Sequence, residues 1–148
     1  MILIEGEKAA EALKALGVNA VGTVTGAASQ PSDEALKPLA AFERIYLWPD
    51  NDGPGRDHML RIGDRFQRLE AKDVRVLEWC DAPEHGDAAD FIEHYGDRAR
   101  EKLRELVAVA QPSRRGLRTC RRSRRSALKR PPRHHSRRRP GLAPTYPT

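Results

Sequence analysis

Ile45-Tyr46-Leu47-Trp48-Pro49-Asp50-Asn51-Asp52-Gly53-Pro54-Gly55 decides the fold. Four apolar or aromatic residues run into a cluster of turn-forming residues, which reads as a buried strand ending in a loop. In open α/β sheets ligands sit beyond the carboxyl ends of the strands, so carboxylates at such an end are placed for chemistry. Asp50 and Asp52 are hard oxygen donors two residues apart, a spacing that lets both face one hydrated Mg2+. The competing reading is a solvated turn, because Asn, Asp, Gly and Pro are also ordinary turn residues.

The neighbouring segments repeat the pattern. Upstream, Ile2-Leu3-Ile4 is a short apolar run ending at Glu5-Gly6, and Ala9, Ala12, Leu13 and Leu16 then fall at helical spacing, with Gly17 as a stop. Ala20 to Val24 reads as a second strand, followed by a loop over Thr25 to Ser29. Ser32 or Asp33 caps a helix running to about Phe42. The third strand spans Arg44 to Trp48. Downstream, Met59, Ile62, Phe66 and Leu69 mark a helix over Gly55 to Leu69, and Val74 to Leu77 forms a fourth strand. A polar loop from Asp81 to Gly86 leads to a helix starting at Asp87, and a last helix runs from about Asp97 to Val109. Strands alternating with helices predict an α/β fold: a mostly parallel four-stranded sheet with helices on both faces and right-handed crossovers.

In that fold Glu5, Asp50 and Asp52 share one edge of the sheet with Asp87 and Asp90. Five converging carboxylates repel one another strongly unless a cation lies between them. Considered singly, Glu5 is a first-turn acid favourable to a helix dipole, worth ~0.3–1 kcal/mol.

These residues resemble a known family. Ile2-Leu3-Ile4-Glu5-Gly6-Glu7-Lys8 is similar to the strand-Glu-Gly opening of Toprim domains, and Asp50-Asn51-Asp52-Gly53-Pro54-Gly55 fits their second signature, D-x-D-x-x-G. With Asp87-Ala88-Ala89-Asp90, the set is most similar to the Toprim modules of phage and plasmid primases and primase-helicases. The resemblance covers roughly residues 2 to 95 and implies a Toprim-like, Rossmann-like fold and a part in DNA replication. It assigns Glu5 as general acid/base of nucleotidyl transfer or phosphodiester cleavage. Asp50 and Asp52 become Mg2+ ligands (Mn2+ being the substitute), and Asp87 and Asp90 an acidic pair near a second metal. Gly6 and Gly55 are assigned to close approach of a phosphate, and Lys8 to a nucleotide or nucleic-acid phosphate, against the plainer reading of a solvated lysine. The implied partners are DNA, nucleoside triphosphates, and a replicative helicase or upstream primase module.

Primases of this kind place a catalytic subdomain ahead of the Toprim module, whereas Met1 here opens the first strand. The expectation is therefore one module of a larger machine, with DNA-directed RNA polymerase activity only alongside the missing domains. The alternatives are a stand-alone Toprim nuclease using the same carboxylates, and a non-catalytic module binding metal and nucleic acid. A haloacid-dehalogenase-type phosphatase also carries a strand-end Asp-x-Asp. Its pattern wants Thr or Val two places after the second Asp, where Pro54 stands, and it leaves Glu5-Gly6 without a role.

The composition has two halves. Residues 111–148 hold 13 Lys and Arg and no acid, leaving 14 basic against 21 acidic residues in 1–110, a net of −7. The pI of 9.7 thus describes the end of the chain and not the domain. An acidic domain is no preformed clamp for a nucleic-acid backbone unless metal or another module supplies positive charge. Residues 111–148, Arg-rich with six prolines, are expected to be a disordered tail. That tail reads either as a salt-sensitive nucleic-acid arm or as the product of a shifted reading frame. Cys80 and Cys120 are too few for a zinc knuckle, and Cys80 reads as a core or strand-end residue. His58 and His94 read as surface helix residues, His85 as a minor candidate beside the acidic loop, and Trp48 as packing. No membrane span or signal segment is evident, which points to a soluble cytoplasmic protein.

Overall fold

A computed structural model describes residues 1–23 and 31–113. Val24, the Thr25–Ser29 loop, Cys120 and the basic segment after Ser113 lie outside the described residues. In chain order the elements are β1 (Ile2–Glu5), α1 (Glu7–Ala15), β2 (Ala20–Thr23), α2 (Asp33–Ala40), β3 (Ile45–Trp48), α3 (Gly53–Arg68), β4 (Val74–Val76), α4 (Ala88–Tyr95), α5 (Ala99–Ala108) and β5 (Gln111–Pro112). The sheet order is β2-β1-β3-β4-β5. The first four strands are parallel, and β5 adds antiparallel to β4, pairing Val76 with Gln111. The α/β sheet expected from the alternating pattern is present. The fifth strand is two residues long and carries no periodicity that sequence could show.

Both faces of the sheet are covered, which is why its strands read as continuous apolar runs. Ile2, Ile4 and Trp48 pack with Ala9, Ala10 and Leu13 of α1, Phe91 of α4 and Leu103 of α5. On the other face Leu3, Ile45 and Leu47 meet Leu36 of α2 and Met59, Ile62 and Phe66 of α3. Trp48 is packing, as expected, but not alone: its ring meets Phe91 edge-on at 5.2 Å, and Phe91 meets Trp79 at 5.3 Å.

Two residues differ from their sequence reading. His58 is fully buried instead of lying on the surface. It sits on the stripe of α3 that turns Gly55, Met59, Ile62 and Phe66 inward, so position outweighed residue type. Cys80 is exposed past the end of β4, not in the core. No helix among the described residues is long and apolar enough to cross a membrane.

Candidate active site

The carboxyl ends of β1 and β3 lie side by side, with Ile4 paired to Trp48. Glu5 ends β1, and the chain turns at Gly6 with φ +76°, a left-handed conformation that glycine adopts without strain. That turn is packed from below by β2: a Cβ at Gly22 would overlap the Gly6 carbonyl oxygen and come within 2.9 Å of its carbon. Gly22 therefore fixes where Glu5 leaves the sheet. Gly6 itself faces open space. Lys8 is exposed in the first turn of α1.

After β3, Asp50 and Asp52 leave the sheet beside Glu5. Asp52 caps α3, its Oδ1 accepting the Gly55 N–H at 2.7 Å. Three acidic side chains crowd the space above Gly55. A Cβ there would stand 2.9 Å from Glu5 Oε1, 3.0 Å from Asp52 Oδ1 and 3.1 Å from Asp50 Cβ. The room left by Gly55 is thus filled by the acids themselves.

The electrostatics separate these acids. Burial, followed by the charges of Glu5, Asp87, Asp52 and Asp90, pushes the Asp50 carboxyl up to about 7. Glu5 is also raised, by burial first and then by Asp52. Its Oε1 is buried without a hydrogen-bond partner. Asp52 is instead held below the usual carboxylate range by its hydrogen bond with His85 and then by the Gly55 amide. One acid that holds a proton to near neutrality beside another that ionises easily is the division of labour that acid–base sites require.

Asp87 and Asp90 stand at the start of α4 as a reciprocal capping box. Asp87 Oδ1 accepts from the amides of Ala89 at 2.7 Å and Asp90 at 2.9 Å, while Asp90 Oδ2 accepts from the Asp87 amide at 3.0 Å. They lie near enough to raise Asp50. As the side chains stand, however, no three Asp, Glu, His or Cys residues among those described are gathered to hold a metal ion. Asp52, Asp87 and Asp90 are each committed to backbone or His85 hydrogen bonds. Glu5 and Asp50 are the acids whose burial leaves them without such compensation.

Asn51 and His85 complete the site; His85 reads in sequence as a minor candidate beside the acidic loop, whereas Asn51 does not stand out as a site residue. Asn51 Nδ2 donates to the Ala82 carbonyl at 3.0 Å and the Pro83 carbonyl at 2.8 Å, and its backbone N–H donates to Gly86 O at 3.0 Å. The middle residue of Asp-Asn-Asp thus fastens the loop before α4 onto the acidic loop. That brings His85 Nδ1 within 2.8 Å of Asp52 Oδ2, with His85 itself at φ +59°. The pairing raises His85 above its ordinary value. Arg56 Nη1 donates to Asn51 Oδ1 at 3.0 Å and adds a positive charge near Asp52. The signal available in sequence was Asn51 itself, an amide able to donate and accept between two acids that can only accept when ionised.

No family model matches the chain, and no curated protein matches it. Solved structures do. The chain superposes with a TM-score of 0.61 on a DNA primase domain from Pseudomonas aeruginosa, at 26% identity over 76% of this chain and 34% of that one. It matches the Aquifex aeolicus primase, comprising zinc-binding and RNA polymerase domains, at the same TM-score, with 24% identity over 75% of this chain and 26% of that one. A DnaG primase catalytic domain bound to single-stranded DNA also gives 0.61, at 19% identity over 76% of this chain and 34% of that one. The fold is that of one segment of DnaG-type primase cores, and the chain spans only a quarter to a third of those proteins.

Proposed function

We propose that the domain is a Toprim module for Mg2+-dependent nucleotidyl-transfer or phosphodiester chemistry, serving a primase in DNA replication. One observation carries the reading: Glu5, Asp50 and Asp52 converge over Gly55 at the carboxyl edge of the sheet, with Asp50 pushed up to about 7. The primase-core fold supports it. We assign the module to the phage and plasmid type on its Glu5-Gly6, Asp50-Asn51-Asp52 and Asp87-Ala88-Ala89-Asp90 motifs, which resemble that group's.

A divalent ion fits the site chemically. The donors are hard oxygens, the Glu5 Oε1 atom is buried and unpartnered, and Asp50 resists ionising because burial and then the neighbouring acids disfavour its charge, a penalty that a cation would offset. Asp50 and Asp52 would hold it, with Asp87 and Asp90 at a second position; Mn2+ meets the same demands as Mg2+. When bound, the ion supplies charge neutralisation and orientation for phosphate oxygens.

The protein's own groups then divide the work. Glu5, whose proton is held more tightly than an ordinary glutamate's by burial and then by the charge of Asp52, is the group offered as general acid/base. Asp52 is held ionised and aimed by Gly55 and His85. Gly6, open to solvent at its left-handed turn, leaves the β1–α1 backbone accessible to a phosphate, and Lys8 offers a cation in the following turn. DNA and nucleoside triphosphates are the substrates, and an upstream primase subdomain and a helicase the partners. The net charge of −7 over residues 1–110 means that metal, or positive charge from outside the domain, is needed for gripping DNA.

The test is a calorimetric Mg2+ titration of the full chain beside an Asp50→Asn/Asp52→Asn double variant. Asn still caps a helix, so the fold survives while the charge goes. Saturable binding in the parent alone supports the reading, and equal, negligible binding in both overturns it. A template assay with ribonucleotides, with and without an added upstream primase subdomain, then separates joining from cleavage.

A further inference from the structure

At the opposite edge of the sheet, the amino ends of β1 and β3 and the turn before β2 line an open pocket of about 330 Å3 against α5. Its walls are Ile2, Val18, Leu103 and the ring of Tyr46, and its charged lining is Arg100 and Arg104. No acid lines it, although residues 1–110 carry a net charge of −7. The two arginines are one turn apart on α5, where like charges repel. Neither forms an ion pair among the described residues, whereas Lys102 between them is bonded to Glu105 at 2.8 Å. The Arg100 guanidinium reaches from α5 over the α1–β2 turn, within 3.7 Å of where a Gly17 Cβ would stand. An apolar pocket lined by one aromatic residue and by two arginines without ion-pair partners among the described residues has the lining of a small-anion site.

We propose that this pocket binds a phosphorylated organic molecule of mononucleotide size, at a site separate from the acidic edge. The volume lies at the low end of small-molecule pockets, ~300–1,000 Å3, and matches a ligand of mononucleotide size. Two arginines present more N–H donors than one carboxylate can accept but suit the three outer oxygens of a phosphate monoester. Tyr46 supplies a flat face for a ring and Val18 and Leu103 the apolar floor beneath it. The inference does not rest on the nucleotidyl-transfer reading.

The experiment is an amide NMR titration of the full 15N-labelled chain with adenosine 5′-monophosphate, in EDTA so that no metal bridges phosphate to the acidic edge. Saturable shifts at Gly17, Val18, Asn19 and the amides of 100–107 are expected, with about tenfold weaker binding in Arg100→Gln/Arg104→Gln. Both arginines are exposed, so that variant keeps its core. Tyr46→Leu is expected to weaken the nucleotide while leaving inorganic phosphate unchanged. Adenosine alone and inorganic phosphate alone should each bind more weakly than the joined molecule. Shifts confined to Glu5, 50–55 and 85–90, or equal binding by the double variant, would overturn the site. Octanoate binding as tightly as the nucleotide would overturn the phosphate assignment.

Discussion

Asn51 shows how much of the site rests on one uncharged side chain. It spends both amide hydrogens on the Ala82 and Pro83 carbonyls and its oxygen on Arg56. Asn51→Ala would leave two carbonyls and a guanidinium short of partners, a loss on the order of 1–3 kcal/mol for the partly buried contacts. The loop would then release His85 from Asp52, whose carboxyl should move back up towards the ordinary range. Chemical denaturation measures the first effect, and carboxyl-carbon NMR of Asp52 the second; an unmoved Asp52 resonance would mean that His85 is held by other contacts. Glu5, Asp50 and Asp52 were legible in sequence because a strand-end acid is conspicuous after an apolar run. His85 was legible only as a neighbour of the acidic loop, and Asn51 not as a site residue at all, because their roles come from contacts between residues about 30 positions apart. The same limit hid His58, whose polar type concealed its place on a buried stripe.

Among the elements, α3 begins where the site is tightest. Its first turn is Gly53-Pro54-Gly55 under an Asp52 cap, so the helix starts two residues earlier than apolar periodicity alone suggests. A glycine in a helix ordinarily costs roughly 1 kcal/mol relative to Ala. At Gly55 the balance reverses, since an added Cβ meets Glu5, Asp52 and Asp50 at 2.9 to 3.1 Å. Gly55→Ala is therefore expected to lose on the order of 1–3 kcal/mol, as overpacked sites do. Any Mg2+ affinity should fall with it, because the crowded atoms belong to the acids. Thermal melts and the same calorimetric titration check both, and a stabilised Gly55→Ala would show that the carboxylates yield freely. The α4 capping box teaches a different lesson: Asp87-x-x-Asp90 is readable both as a helix start and as an acidic pair, and the side chains perform the first of these.

At the scale of the whole molecule, the acidic edge sets stability against charge. Asp50 has an unfolded-state value near 3.8 and is raised to about 7 in the fold. Between those values the folded chain holds a proton that the unfolded chain has released, so stability falls as pH rises from about 4 to 7 and is level above. Raised Glu5 acts in the same direction, while lowered Asp52 adds stability that is lost only as pH falls through its own depressed range. Asp50 is only partly buried, so screening trims the penalty to on the order of 1–2 kcal/mol. Asp50→Asn should therefore raise the metal-free melting temperature at pH 8 and flatten the curve between pH 4 and 7. Mg2+ should do the same for the parent and not for the variant, because a ligand bound only by the folded state stabilises it by mass action. Binding at pH 7 should also release close to half a proton at Asp50, seen as a buffer-dependent heat that fades by pH 8.5. A metal-free variant no more stable than the parent at pH 8 would mean that the acids already relax apart. The edge would then store no repulsion for a cation to relieve.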